Sequence, residues 1–220
     1  MANIQLYHFP GSPACRSVRM TAKALGVPLE LKQLNYHNKD HLSPEFTKIN
    51  PDQTNPTIID GDFTLWESRA IMRYLVGKYG GENNSLYPRD LQKRAEVDRL
   101  LDYDLGVFHR AMWDNLMLPL RSRTSLKTTK QQDENVMKAF GRIDTLVKDK
   151  KFLTGNTLTI ADFAVVVGFA AEVIYPGDMS KHPNAMAWYK RMQELPYYQE
   201  VNQPFYDLVE KMKNSVAENS

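Results

Sequence analysis

Apolar and polar positions follow two different periods along this chain, and the change between them falls near residue 90. From Ile4 to Phe9 the residues divide between two faces, Ile4, Leu6 and His8 against Gln5, Tyr7 and Phe9, a mixed pattern suited to a buried strand. After the turn Pro10-Gly11-Ser12-Pro13, Ala14, Val18, Ala22 and Leu25 recur at helical spacing, and Gly26 with Pro28 beyond it writes the stop. Leu29 to Leu34 returns to alternation, so strand, helix and strand predict a unit with two parallel strands. His37 to Asn50 has only Leu42, Phe46 and Ile49 as apolar anchors and reads as a loop with a short helix. Pro56 to Ile59 and Phe63 to Leu65 flank Asp60-Gly61-Asp62, a hairpin signal. Ile71, Tyr74, Leu75 and Tyr79 then predict a helix that stops at Gly80-Gly81.

Beyond that point the period is helical throughout. Helices are expected at Ala95 to Met117, about Gln131 to Val147, Ile160 to Ile174, Pro183 to Glu194, and from about Tyr198. The expected fold class is therefore a thioredoxin-like α/β domain over residues 1–80, a polar linker over 81–90, and an all-α domain over 91–220. The best-written helix start is Leu158-Thr159-Ile160-Ala161-Asp162-Phe163, in which Thr159 caps, Asp162 reaches back and Leu158 staples onto Phe163.

Composition narrows the partners. A chain of 220 residues with 42% hydrophobic content can bury one large core or two small ones, and a net charge of +2 from 28 basic and 26 acidic side chains makes no field suited to nucleic acid. Arg121, Arg123, Lys127 and Lys130 read as a solvated loop. One cysteine excludes an intramolecular disulfide and a multi-cysteine metal site. The start Met1-Ala2-Asn3-Ile4-Gln5 has no basic and apolar leader, and no run reaches the ~18 apolar residues of a membrane span, so a cytoplasmic protein is expected. His37 and His41 flank Asp40 without helical periodicity or a third ligand, so no metal is expected.

Two segments carry candidate chemistry. Ser12 before Pro13 is a helix N-cap with proline at the first helical position, and local structure alone explains both residues. Its address changes that reading, because a thioredoxin-like fold places a Cys-x-x-Cys redox pair here, and this chain has Ser12-Pro13-Ala14-Cys15. A hydroxyl cannot exchange disulfides, but at a helix N-terminus it can donate to a sulfur anion brought by a ligand. Lowering a thiol pKa by ~2 units requires ~2.7 kcal/mol, within reach of a charge-assisted hydrogen bond plus the helix end. Cys15, a turn into the helix, is the rival nucleophile. The second segment is Asn55-Pro56 with Glu67-Ser68-Arg69: a cis proline would free the backbone of Asn55 to pair with a peptide-like ligand. A helix N-terminus with Ser68 and Glu67 suits a carboxylate and an ammonium, the two charges of an α-amino acid.

With these pieces in place the chain resembles the cytosolic glutathione transferases, most closely the insect delta class, over essentially its full length. The resemblance rests on Pro10-Gly11-Ser12 with Cys15-Arg16-Ser17-Val18, His41-Leu42 before Pro44-Glu45-Phe46, Asn50-Pro51 before Thr54 and Pro56-Thr57, Leu65 to Ile71, and the Leu158-to-Asp162 capping motif. It implies glutathione as co-substrate with no tightly bound cofactor, and Ser12 as the group that activates its thiol. It also implies His41 and Gln53 at the glycyl end, Thr54, Asn55 and Pro56 along the cysteinyl backbone, and Glu67, Ser68 and Arg69 at the γ-glutamyl end. Tyr7 is expected on the wrong side of its strand to replace Ser12. A hydrophobic electrophile is expected beside Pro13, Tyr36, His109, Met112, Met117, Phe205 and Tyr206. The same resemblance implies a homodimer in which Asp98 and Asp104 face the partner. Departures from the family pattern are Ser-Pro-Ala-Cys for Ser-Ala-Pro-Cys, which is slightly epsilon-like, and Gln53-Thr54-Asn55 for His-Thr-Ile.

The implied activity is conjugation of glutathione to hydrophobic electrophiles, a detoxifying step in xenobiotic metabolism, with reduction of hydroperoxides by the same thiolate as a variant. A non-catalytic carrier of hydrophobic ligands and a Cys15-dependent thiol reductase are the alternatives.

Overall fold

The computed structural model describes residues 4–122 and 128–217, so Arg123 and Lys127 of the expected basic loop lie outside the described residues. Strands β1 (Ile4–His8), β2 (Leu29–Gln33), β3 (Thr57–Asp60) and β4 (Phe63–Trp66) form one sheet in the order β2-β1-β3-β4. β1 and β2 run parallel, with Ile4 opposite Leu29, and β1–β3 and β3–β4 are antiparallel. The parallel pair needs a crossover, which α1 (Pro13–Ala24) supplies, and the two-residue turn Gly61-Asp62 closes the hairpin with Gly61 at φ 62. Asp40–Leu42 forms a single 3₁₀ turn, followed by α2 (Pro44–Ile49), and α3 (Ser68–Tyr79) completes the thioredoxin-like half.

The single long helix expected from Ala95 to Met117 is built differently. Helix α4 (Leu91–Tyr103), α5 (His109–Met112) and α6 (Leu118–Arg121) are joined by π turns at Asp104–Phe108 and Trp113–Met117, so the run is helical throughout with two wide turns. Each π turn shifts the register of the residues beyond it, which a constant 3.6 period cannot show. Next come α7 (Lys130–Val147), α8 (Ile160–Phe169), α9 (Pro183–Gln193) and α10 (Tyr198–Ala217), with a 3₁₀ turn over Ala170–Ile174 in place of the last turns expected for α8.

Helix α8 is the axis of the helical half: every one of its residues is buried, and it packs on α1, α3, α4, α5 and α9. Its start is held by Asp162, whose two oxygens accept from Thr159 N–H at 3.0 Å, the Thr159 hydroxyl at 3.1 Å, Leu153 N–H at 2.9 Å and Trp188 Nε1 at 3.0 Å. Burial pushes this carboxyl up even so. Among the described residues no helix is long and apolar enough to cross a membrane.

Candidate active site

The first site element is the turn between β1 and α1. Ser12 has an extended backbone (φ −67, ψ 125), its N–H donates to Phe9 C=O at 3.0 Å, and its Oγ accepts the Cys15 N–H at a long 3.4 Å. It is thus the cap that the sequence implies, with a partly exposed side chain beside the Cys15 thiol. Cys15 is fully buried and donates to Asn55 Oδ1 at 2.8 Å. Burial pushes its thiol up to about 11 against the hydrogen bonds of Phe9 and Ser12 and the charges of Arg16 and Arg19, which leaves it unsuited to nucleophilic chemistry at neutral pH. Tyr7 lies on the opposite side of β1 from the buried His8 and packs on Phe46 at 5.4 Å. Burial, then the charge of Arg19, brings His8 down to about 4, so it is neutral.

The second element is the loop before β3, where the Asn55–Pro56 bond is cis. Asn55 stands outside the ladder, which begins at Thr57, so its backbone is not consumed by strand pairing. The loop is shaped by Asn50, a residue to which the sequence reading assigned no role. Its buried amide donates to Thr54 C=O at 3.0 Å, Thr54 Oγ1 at 3.1 Å and Thr57 Oγ1 at 2.9 Å, and its Oδ1 accepts from Asp52 N–H at 2.9 Å. An asparagine before proline at a turn is the one signal that could have marked it. Thr54 is exposed with its carbonyl taken by Asn50 and Thr57. Gln53 sits at φ 56, and its Nε2 donates one hydrogen to Thr47 Oγ1 at 3.0 Å. His41 is stacked on Tyr36 at 4.2 Å.

The third element is the start of α3. Glu67, not Ser68, occupies the cap position, at the left-handed φ of 71, and is exposed; Ser68 is the first helical residue and is buried. Arg69 donates to Ser68 Oγ at 3.2 Å and is ion-paired to Asp104 of the first π turn. Asp104 is therefore not a dimer-facing group: it is 1% exposed and its partner is in the same chain. Asp98 keeps 34% of its side chain exposed and accepts from Arg73 Nε at 2.8 Å and the Tyr87 hydroxyl at 3.1 Å. Burial raises the Asp104 carboxyl to about 6 although Arg69 pulls the other way.

The apolar side departs most from expectation. Met112 and Phe205 are each 2% exposed and belong to the core, with Phe205 lying under the Arg16 guanidinium at 4.2 Å. The Tyr206 hydroxyl is tied to those of Tyr189 at 2.7 Å and Tyr198 at 2.8 Å. Pro13, Tyr36, His109 and Met117 keep partial exposure. Burial, then Arg69 and Arg16, lowers His109 to about 4, so it is neutral beside Arg69. The residue of α10 that meets the Ser12 turn is Leu208: a Cβ placed on Gly11 would stand 2.7 Å from Leu208 Cδ2 and 3.1 Å from Phe9 Cε1. Arg16 was not singled out for this role by sequence. It is fully buried with no carboxylate, donating to Asn202 Oδ1 at 2.7 Å and Val167 C=O at 2.8 Å.

Comparison with known proteins adds four findings. Residues 2–77 match the family model described as glutathione S-transferase, N-terminal domain, and residues 108–196 the one described as glutathione S-transferase, C-terminal domain. The chain is 40% identical over 195 residues to the protein named glutathione S-transferase D7 of Drosophila melanogaster, spanning 89% of this chain and 86% of that one. An epsilon-class glutathione S-transferase from the housefly, Musca domestica, superposes with a TM-score of 0.88 at 37% identity, covering 96% and 98% of the two chains. A glutathione transferase homolog from Drosophila mojavensis, solved with bound glutathione, gives 0.86 at 35% identity over 97% and 98%.

Proposed function

Since this chain belongs to the glutathione S-transferase family, we propose that it transfers the thiolate of reduced glutathione to hydrophobic electrophiles, with Ser12 as the residue that holds the sulfur. The observation that carries the reading is the place of the Ser12 hydroxyl: partly exposed at the N-terminus of α1, which it caps through a long 3.4 Å contact with the Cys15 N–H. A thiolate placed there would gain one charge-assisted hydrogen bond and the helix end, together worth about 2–4 kcal/mol. Ionised sulfur then displaces a leaving group or adds to an electron-poor carbon.

The rest of the tripeptide follows the three site elements. The γ-glutamyl group lies at Glu67, Ser68 and Arg69, its carboxylate at the α3 N-terminus and its ammonium on Glu67. The cysteinyl backbone pairs with Asn55 beside Thr54 and Pro56, and the glycyl end faces His41 and Gln53. The electrophile sits against Pro13, Tyr36, Met117 and His109, with Leu208 replacing Phe205 as the contribution of α10. We place the domain boundary in residues 81–90, the protein in the cytoplasm as a homodimer, and its role in the detoxification of foreign compounds. Delta-class membership accords with the motifs around Ser12, while Ser-Pro-Ala-Cys and the housefly relative lean to epsilon. The test is conjugation of a chlorodinitrobenzene to glutathione, expected in the native protein and lowered about 10- to 100-fold by Ser12→Ala with the fold retained. Full activity in that variant would overturn the role of Ser12, and binding of apolar dyes without any affinity for glutathione would favour a carrier.

A further inference from the structure

Arg16 is a buried cation that no group among the described residues neutralises. It is 1% exposed, lies 4.2 Å over the Phe205 ring, and donates only to the neutral oxygens of Asn202 and Val167, with Nε left unpartnered. Burial brings it down to about 10, so it is charged at neutral pH. The groups within its electrostatic reach carry no negative charge. Tyr198 and Tyr206 of α10 and Tyr189 of α9 spend their hydroxyls on one another, at 2.7 to 3.2 Å, and burial raises Tyr189 and Tyr198 so that they keep their protons. Cys15 of α1 and His109 of α5 are neutral at pH 7. Burying an unpaired charge costs stability, and a neutral side chain of similar volume would avoid that cost.

The position of the charge suggests what the cost is for. Arg16 stands one helical turn after Ser12, whose C=O accepts its N–H at 3.0 Å, and helical side chains lean toward the N-terminus of their helix. Burial dominates the pKa of both Cys15 and His109, and in each case the charge of Arg16 also pulls downward. Its field therefore reaches a sulfur in the helical turn that Ser12 caps and an imidazole on the helical half. Arg19, the next cation on α1, differs because Glu200 opposes its charge.

We propose that Arg16, a fixed positive charge seated behind Ser12, stabilises the thiolate of bound glutathione through the protein interior without touching it. The proposal rests on glutathione as the thiol donor with its sulfur at Ser12. Ser12 then supplies a hydrogen bond, and Arg16 a field that needs no rearrangement when the sulfur ionises. A helical turn plus an arginine side chain sets the separation at about 10 Å. At that range, and an effective dielectric of about 20, a unit charge moves a thiol pKa by about one unit. Arg16 is not itself a catalytic residue, since it meets neither the sulfur nor the electrophile.

The experiment reads the thiol pKa of bound glutathione from thiolate absorbance against pH in the native protein, Arg16→Met, Arg16→Lys, Asn202→Asp and Arg19→Met. Circular dichroism checks the fold of each, and calorimetry its uptake of glutathione. Arg16→Met should raise the pKa by about one unit, and Arg16→Lys, which keeps the charge, by about 0.3 unit or less. Asn202→Asp sets a carboxylate on the guanidinium without emptying its seat, and should raise the pKa about as far as Arg16→Met. Arg19→Met should move it less than half as far. Turnover of a chlorodinitrobenzene by Arg16→Met should fall about 10-fold below the native thiol pKa and converge on the native rate at alkaline pH, a profile that a packing defect would not give. Folded Arg16→Met and Asn202→Asp proteins with an unmoved pKa, or a rate loss equal at every pH, would overturn the assignment. Salt gives a check on the native protein that needs no variant to fold. Between about 0.05 M and about 1 M its thiol pKa should stay within about 0.3 unit, because a buried charge is little screened, and a rise toward that of free glutathione would assign the effect to exposed charges and overturn the proposal. A pKa that rises in Ser12→Ala but not in the Arg16 variants would overturn this inference alone. A native protein that takes up no glutathione, or whose bound thiol titrates as the free one does, would overturn the role of Ser12 as well.

Discussion

The two ends of the candidate glutathione site are built on opposite plans. At the sulfur end Ser12 has one long capping contact and a partly exposed side chain. At the γ-glutamyl end Arg69 is clamped to Asp104. Both oxygens of Asp104 are withdrawn from water, and Oδ1 has no hydrogen-bond partner among the described residues. On the proposed reading, the group that would bond to the thiolate has few contacts, whereas the group that would orient the ligand is immobilised by a charge from the other half of the chain. One end is reserved for chemistry and the other for position.

The largest effect should come from the clamp. Asp104→Ala strands a buried guanidinium, and breaking such a pair costs about 3–5 kcal/mol. Denaturant unfolding should register that loss, and KM for glutathione should rise with it. Asp104→Asn keeps the shape and some hydrogen bonding, so a variant as stable as the native protein would show that Arg69 is not held by charge.

Ser12→Ala should invert this profile. Conjugation falls by about 10- to 100-fold, the value of one charge-assisted hydrogen bond to the thiolate. Stability falls by about 1 kcal/mol or less, since the cap is long and partly exposed. Absorbance of the bound thiolate followed against pH would separate the two: the thiol pKa should move up toward that of free glutathione, and an unmoved pKa would remove Ser12 from the chemistry.

Acid sharpens the contrast within one protein. The Asp104 carboxyl, held at about 6 by burial, is the more protonated one in the folded state between its ordinary carboxylate range and pH 6. Its ionisation therefore costs stability as pH rises through that window, while its charged form is the one that grips Arg69. KM for glutathione should climb as pH falls through about 6, and this inflection should be missing in Asp104→Asn. His8 and His109, both held neutral near 4, act on stability in the opposite sense: unfolding takes up their protons between about 4 and 6.5, so their share of stability is lost as pH drops through that range. The smallest effect is expected at Cys15. With its thiol buried and pushed up to about 11, iodoacetamide at neutral pH should label the native protein only in trace and leave turnover as it was.

Ser12 could be read from sequence because its context is local: strand, turn, proline and helix are contiguous, and each is written by a few neighbouring residues. The same holds for the Gly61 hairpin and the Asp162 box, whereas the cis Asn55–Pro56 bond follows from the place of the proline in the fold and not from its neighbours. Asp104 could not be read in this way. Its partner lies 35 positions away, and the π turn that contains it displaces the helical face on which it was expected. Met112 and Phe205 failed for a related reason, since a stripe of methionine and aromatic residues has the same spacing whether it faces a ligand or the core. Leu208 was overlooked because the close approach is recorded by the glycine it presses on, not by the leucine itself.

Arg16 carries a consequence for the order of assembly. The partners of this buried cation come 151 and 186 residues later in the chain. During synthesis from the N-terminus, helix α1 must therefore keep a guanidinium in water until most of the polypeptide has left the ribosome. A chain stopped short of Asn202 would hold this guanidinium by the Val167 carbonyl alone. The first helix to be made is in this sense among the last to be finished.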